Sequence, residues 1–154
     1  MRATLNRLGY ELPANMSYDF INGAVHRETQ EPDGEGEAGF DLTVAEVYEV
    51  ADAGRVDFGG GEIEDAELSR VSTEKRSPED DYGWWNLDAG TYVVEYNESV
   101  EADRVVEVMP RSEVLRRGAY HPTVHVSELR PLPLTVGGDG LCLKENARIS
   151  VLCP

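Results

Sequence analysis

The chain has 154 residues, of which 40% are hydrophobic and 29% charged, so it has room for one core and little for a second. Its formal net charge is −16, from 30 acidic and 14 basic residues, and such a surface repels nucleic-acid phosphates and anionic membranes. We therefore exclude a protein that binds nucleic acid or an anionic membrane through a broadly basic surface. No apolar run reaches the roughly 20 residues of a membrane span, and we expect a cytoplasmic protein of one domain.

Short segments of alternating or β-branched residues, separated by turn sequences rich in Gly, Asp and Asn, run through most of the chain. Two helical segments are predicted, at residues 2–9 and 112–117, and the polar stretches 28–38 and 59–83 are predicted to be surface loops. Several short strands favour an all-β sandwich, jelly roll or barrel. The predicted strands, in chain order, are residues 40–44 continuing into 47–50, 56–58, 91–96, 104–109, 124–126, 132–136 and 149–152.

The ratio of arginine to lysine among the basic residues is unusually high. Twelve of the fourteen are arginine, and Lys75 and Lys144 are the only lysines. An acidic, lysine-poor surface favours a protein adapted to concentrated salt, because screening there removes the self-repulsion of the acidic groups. An ordinary acidic protein from a low-salt cell is the alternative.

The charges are also unevenly distributed. Residues 28–69 contain fourteen acids and one base, whereas residues 101–154 contain seven of each. Within the neutral stretch, Arg111, Arg116 and Arg117 lie within seven positions of one another. Because guanidinium groups bind phosphate and carboxylate well, this cluster is the candidate anion site.

The local sequence around the cluster supports the same interpretation. A predicted strand leads into Pro110, and the short helix that follows ends at Gly118, which is the usual placement of proline and glycine around a helix. Arg111 and Ser112 then lie in the first helical turn, where backbone N–H groups are unpaired, and Arg116 follows one turn later. A surface helix with solvated charges is the alternative interpretation.

Four segments, taken in order, resemble elements of the dUTPase and dCTP deaminase superfamily. Pro110-Arg111-Ser112 through Arg116 and Gly118 resembles its P-R-S-x-x-x-R-x-G element. Gly39-Phe40-Asp41-Leu42 is similar to the family's G-x-D-L strand. Residues 87–92 are similar to its L-x-P-G-x-Y turn, with Ala89 in place of proline. Residues 146–152 are similar to its closing N-A-R-I-A-Q-L strand, with Val151 in place of glutamine.

This resemblance implies a distorted all-β jelly roll or barrel with one short helix. Residues 39–152 would form its core and residues 1–38 an N-terminal extension with an acidic loop, all within one domain. The resemblance also implies a homotrimer that binds a deoxynucleoside triphosphate, dUTP first, with Arg111, Ser112 and Arg116 on the phosphates. Asp41 would help to hold Mg²⁺ through water, a reasonable role for one carboxylate beside substrate phosphates.

The sequence departs from the family where catalysis is expected. The hydrolases carry an aspartate that activates water, and the aligned position is Val126, which cannot accept a proton. His125 and Glu128 are the nearby titratable residues and therefore the candidate general bases. The deaminases instead need a glutamate near residues 134–136, and none is there.

Three functions remain open from the sequence. The first is a hydrolase that converts dUTP to dUMP and pyrophosphate with Mg²⁺. The alternative is a relative that has lost catalysis and acts as a nucleotide-binding, regulatory or assembly protein. A dCTP deaminase is the third.

Overall fold

A computed structural model describes residues 18–26 and 39–153 of the chain. These residues form eleven strands and one short helix. In chain order the elements are β1 (Ile21–Asn22), β2 (Phe40–Asp52), β3 (Glu67–Arg70), β4 (Trp84–Leu87), β5 (Gly90–Tyr96), β6 (Ser99–Pro110), α1 (Ser112–Leu115), β7 (Ala119–Tyr120), β8 (Val124–Glu128), β9 (Leu132–Val136), β10 (Leu141–Lys144) and β11 (Arg148–Cys153).

Nine of the strands form one antiparallel sheet. Its hydrogen-bonded order is β1-β6-β11-β2-β5-β9-β7, with β3 added to β2 and β8 added to β6. Strands β10 and β4 form a separate pair. The path is open at both ends among the described residues, so these strands do not close into a barrel. The predicted all-β fold with one short helix is confirmed.

Strand β11 lies inside the sheet, between β6 and β2. Its residues 149–153 are all buried, as expected for a strand with a neighbour on each edge and structure over both faces. Strand β5 instead alternates, with Tyr92, Val94 and Tyr96 buried and Glu95 exposed. The core includes residues of both sheets, and its largest fully buried side chains are Trp85, Phe40, Ile21 and Leu42.

Several sequence predictions need correction. Residues 56–58 were expected to form a strand but lie in an exposed hairpin, which includes the bridge between Arg55 and Glu64. The predicted loop 59–83 contains β3, which is exposed along its whole length and pairs with β2. The helix predicted over 112–117 ends at Leu115. Predictions for residues 2–9 and 28–38 lie outside the described residues.

Among the described residues, no helix is long and apolar enough to cross a membrane.

Candidate functional site

The backbone around α1 brings the start of the helix against β11. Pro110 ends β6 and Arg111 is the residue that caps α1, with extended backbone angles and no side-chain cap. The Arg111 N–H donates to the carbonyl of Ile149, at 3.0 Å. Gly118 then turns the chain with a φ of +79°, which a residue with a Cβ adopts only at a cost. The start of α1 is therefore hydrogen-bonded to β11, an interior strand of the sheet.

Asp41 is the electrostatic centre of the candidate site. Its carboxylate is 3% exposed, and its two oxygens accept hydrogen bonds from different arginines: Oδ1 from Arg111, and Oδ2 from Arg148 at 2.8 Å. The side chain of Arg111 is itself buried and also lies 3.3 Å from a carboxylate oxygen of Glu113. Strands β2 and β11 and the start of α1 thus meet in one charged cluster.

The structure therefore brings together two residues that the sequence predicts separately, Asp41 for a metal and Arg111 for phosphate. It adds Arg148, which the sequence analysis did not single out. The signal was present, because Arg148 belongs to the segment 146–152 that resembles the family's closing strand. Its proximity to Asp41, 107 positions earlier in the chain, depends on tertiary pairing of β2 with β11.

These surroundings do not fit a magnesium site at Asp41. Both carboxylate oxygens already face guanidinium groups, whose positive charge repels a divalent cation. Among the described residues, no group of three or more His, Cys, Asp or Glu side chains is arranged to hold a metal ion. The expected use of Mg²⁺ stays a prediction.

Ser112 and Arg116 lie on the outer side of this cluster. Ser112 is half-buried, with its hydroxyl 3.5 Å from Glu113, and the backbone N–H of Arg116 donates to the Ser112 carbonyl at 2.9 Å. Arg116 and the following Arg117 are exposed. Among the described residues, the region around α1 thus holds four arginines (Arg111, Arg116, Arg117 and Arg148) and two acids (Asp41 and Glu113), a positive area on a chain whose net charge is −16.

The two candidate bases lie elsewhere in the sheet. His125 and Glu128 are exposed on β8, where Nε2 of His125 is 3.1 Å from Glu107 and the Glu128 carboxylate is 3.1 Å from Arg130. Strand β8 pairs with β6, and β11 separates β6 from β2. At about 4.8 Å per strand spacing, three spacings place β8 about 14 Å from the strand of Asp41. Neither base therefore lies on a strand that pairs with the strand of Asp41, although Arg111 directly follows β6, the partner of β8.

Val126, at the position aligned with the family's aspartate, pairs with Val106 of β6. Directly paired residues of an antiparallel sheet share a face, and Val106 is fully buried. The side chain of Val126 consequently belongs to the apolar side of β8, and His125 to the opposite side.

A buried polar chain that the sequence analysis missed lies beside the site. Nδ1 of His121 is 2.8 Å from the carbonyl of Pro122, Nε2 is 2.7 Å from the hydroxyl of Ser150, and that hydroxyl is 2.6 Å from the Tyr96 hydroxyl. The Pro122 carbonyl can only accept, so Nδ1 carries a proton. Burial lowers the pKa of His121 and favours the neutral ring, whose Nε2 then accepts from Ser150, while Tyr96 donates to Ser150.

A serine beside a histidine invites comparison with a catalytic nucleophile and its base. Here Ser150 is fully buried and His121 is 3% exposed, so no substrate reaches the hydroxyl. Burial also raises the pKa of Tyr96, which therefore remains a neutral donor. These three hydrogen-bonded side chains therefore have a structural role, because they connect β5, β11 and the segment after β7.

Comparison with known proteins tests the fold. No family model matches the sequence, and no curated protein does. The structure is similar to the crystal structure of 2′-deoxycytidine 5′-triphosphate deaminase from Agrobacterium tumefaciens, with a TM-score of 0.51 and 14% sequence identity over 87% of this chain. The chain has the dCTP deaminase fold.

The match covers 43% of the deaminase, so this chain spans less than half of that protein's length. At 14% identity the likeness extends to the dCTP deaminase fold and not to the chemistry, because function depends on individual site residues. The all-β fold implied by the four sequence segments is the part of the resemblance that this comparison confirms.

Proposed function

We propose that this protein binds a deoxynucleoside triphosphate, with dUTP as the first ligand to test, and that the arginines around α1 hold its phosphates. The observation that carries the proposal is the positive area around α1 on an otherwise strongly acidic molecule. Its occurrence in a dCTP deaminase fold supports the choice of ligand, since the similar structure is that of an enzyme acting on a deoxynucleoside triphosphate.

The solvent exposure of each residue around α1 determines its role in the proposed phosphate binding. Arg116 and Ser112 are the accessible groups, and they would contact the phosphate oxygens directly. Arg111 is engaged by Asp41 and Glu113, and Arg148 by Asp41, so these two arginines would contribute mainly by holding the start of α1 in place. Charge-assisted hydrogen bonds from arginine to phosphate are among the stronger polar contacts in proteins.

Binding without hydrolysis is the version that the described geometry favours. Val126 replaces the aligned aspartate and lies on the apolar side of β8, while His125 and Glu128 are exposed and contact Glu107 and Arg130. A protein with this site would bind nucleotide as a regulator of an active relative or as its partner in an assembly.

Hydrolysis of dUTP to dUMP and pyrophosphate is the second candidate. It is favoured by the contact of 3.1 Å between His125 and Glu107, because an imidazole oriented by a carboxylate is a competent general base. For this pair to act, a neighbouring subunit of the expected homotrimer would have to place it beside the arginines. Water would then attack the α-phosphorus of dUTP, and pyrophosphate would leave.

The first experiment is titration calorimetry with dUTP, dCTP, dTTP and UTP in potassium chloride, with and without Mg²⁺, followed by chromatography of the products. We expect Arg116→Ala to weaken dUTP binding about tenfold or more, the loss of one charge-assisted contact to phosphate. Arg130→Ala is the matched control, since it removes an equally exposed arginine whose contact is with Glu128.

Each outcome has a distinct meaning. Binding without product supports the regulatory version, and pyrophosphate from dUTP supports the hydrolase, in which case His125→Ala is the next variant. Equal dUTP affinity in the Arg116→Ala variant and the unmodified protein would contradict the proposed site.

A further inference from the structure

The guanidinium group of Arg111 contacts two carboxylates that differ in their exposure to solvent. Its Nη1 donates to Asp41, whose side chain is 4% exposed, whereas its Nη2 lies 3.3 Å from Oε2 of Glu113, whose side chain is 45% exposed. Two nitrogens of one guanidinium therefore have different partners. Asp41 holds the inner nitrogen, and Glu113 covers the outer one.

The same oxygen of Glu113 also meets a hydroxyl group. Oε2 lies 3.5 Å from Oγ of Ser112, so a single carboxylate oxygen is shared between Ser112 and the outer nitrogen of Arg111. A guanidinium N–H and a hydroxyl are both hydrogen-bond donors, and a phosphate oxygen accepts from such donors as a carboxylate oxygen does. Glu113 thus places its own negative charge where the proposed function needs a phosphate oxygen beside Ser112.

The contacts of the Glu113 carboxylate are weak. Both distances exceed the roughly 2.7–2.9 Å of a charge-assisted N–H to carboxylate bond, whereas the buried contact between Arg148 and Asp41 measures 2.8 Å. Within the part of the chain that the structure describes, Arg111 and Ser112 are the only side chains that this carboxylate contacts. An ion pair that is open to water contributes little free energy, so a more strongly charged ligand can displace Glu113 at small cost.

We propose that Glu113 is an internal competitor for the phosphates of the nucleotide and thereby determines how tightly this site binds them. The inference rests on the proposed function, since it concerns the same phosphate contacts at Ser112 and Arg116. A bound phosphate takes over the contacts that Glu113 makes with Ser112 and Arg111. The displaced carboxylate still repels the phosphate while it remains close, so Glu113 lowers the affinity for every ligand that carries phosphate at this position.

The test compares the affinity of dUTP for the unmodified protein and for the Glu113→Gln variant, by titration calorimetry at one potassium chloride concentration. Glutamine keeps the length of the side chain and removes its charge. We expect dUTP to bind about tenfold more tightly, because one negative charge beside the phosphates is gone. Glu113→Ala, which also removes the contact with Ser112, should give a gain at least as large.

Glu64→Gln is the matched control. It changes the net charge by the same amount and also removes an exposed acid that pairs with an arginine, since Glu64 lies 2.6 Å from Arg55 in the hairpin between β2 and β3. Its dUTP affinity should equal that of the unmodified protein. Urea denaturation of each variant confirms that the compared proteins are folded.

Two further ligands separate competition for phosphate from a general change in the site. Inorganic pyrophosphate should bind the Glu113→Gln variant more tightly than the unmodified protein, as dUTP does. Deoxyuridine has no phosphate and should show no gain. A rearrangement of the site that merely accompanies the substitution would not distinguish these ligands by their phosphates.

The outcomes distinguish this inference from the proposed function. Equal dUTP affinity in the Glu113→Gln and unmodified proteins would overturn the inference, and so would equal gains in the Glu113→Gln and Glu64→Gln variants or an equal gain for deoxyuridine. In each of these cases the proposed function stands if Arg116→Ala still weakens dUTP binding. If dUTP binds neither the unmodified protein nor the Glu113→Gln variant, the proposed function and the inference both fail.

Discussion

Asp41 joins three elements through one carboxylate, because its oxygens are hydrogen-bonded to Arg111 at the start of α1 and to Arg148 on β11. A buried acid between two arginines is held by charge-assisted bonds, and removing its charge takes one carboxylate from a cluster that contains both cations. The residue thus has a structural role that its predicted part in metal binding did not suggest.

Replacing Asp41 with asparagine should therefore destabilise the protein more than most polar substitutions do. We expect a loss of about 3 kcal/mol in the free energy of unfolding, because one buried member of the ion cluster loses its charge. Urea denaturation measures the change. Asp139→Asn, the same substitution at an exposed position, should cost less than about 0.5 kcal/mol. Equal losses in the two variants would mean that the cluster contributes no special stability.

What the sequence revealed about single residues depended on whether their partners were local. Arg111, Ser112 and Arg116 stand within one short segment, so their grouping could be predicted from spacing. The contact of Asp41 with Arg148 joins distant strands, and no periodicity encodes it. The same holds for His121, whose neighbours Ser150 and Tyr96 come from other strands.

At the level of elements, the chain from His121 through Ser150 to Tyr96 connects β11, β5 and the segment after β7. All three groups are buried, and the hydrogen bond that Nε2 of His121 accepts from Ser150 requires a neutral imidazole. Protonation of His121 would set two donors, Nε2 and the Ser150 hydroxyl, against each other. The connection is consequently sensitive to pH.

We expect this connection to lose stability in acid. The pKa of His121 is lowered from 6.5 by burial, so the unfolded chain binds a proton more readily than the folded one. The contribution of this connection to the free energy of unfolding is complete above about pH 6.5. It is lost as the pH falls through the lower pKa that His121 has in the folded protein. Unfolding free energies measured between about pH 7.5 and 5 test this sign.

His121→Gln provides the control for that experiment. The variant should be less stable than the unmodified protein at neutral pH, and the difference should shrink as the pH falls below about 6.5. His125→Gln changes an exposed histidine on β8. In this variant the free energy of unfolding should still fall in acid, because His121 is unchanged. A constant difference between the His121→Gln variant and the unmodified protein at every pH would contradict this account.

Strands with an alternating or β-branched pattern were predictable, and strands without one were not. Residues 40–50, 91–96 and 132–136 were recognised, because burial on one face imposes the pattern. Strand β3 was missed since its four residues are all exposed and only backbone pairing with β2 defines it. Residues 56–58 have a strand pattern yet bury nothing, which is why the pattern predicted the wrong structure there.

For the whole molecule, the dominant quantity is the net charge of −16. Repulsion among unpaired acids opposes the compact state, and salt reduces it by shortening the Debye length from about 10 Å at 0.1 M to about 3 Å at 1 M. The proposed adaptation to concentrated salt would take effect through this screening.

Potassium chloride should accordingly raise the melting temperature. If the free energy of unfolding rises by about 2 kcal/mol between 0.1 M and 1 M salt, the melting temperature of a chain of this size should rise by roughly 4–8 °C. Differential scanning calorimetry measures the shift, and sucrose at matched osmolality controls for effects other than screening. An unchanged melting temperature in the salt series would argue for an ordinary acidic protein.

The interior position of β11 has a consequence for how this protein is made. Strands β2 and β6 both pair with β11, yet β2 is synthesised about a hundred residues earlier, as the separation of 107 positions between Asp41 and Arg148 shows. Until residues 148–153 leave the ribosome, β2 and β6 lack the strand that joins them, and each has an edge with unpaired backbone groups. Pairings this distant in sequence also slow folding, so the nascent chain passes through an interval in which chaperones and other unfolded chains compete for those edges.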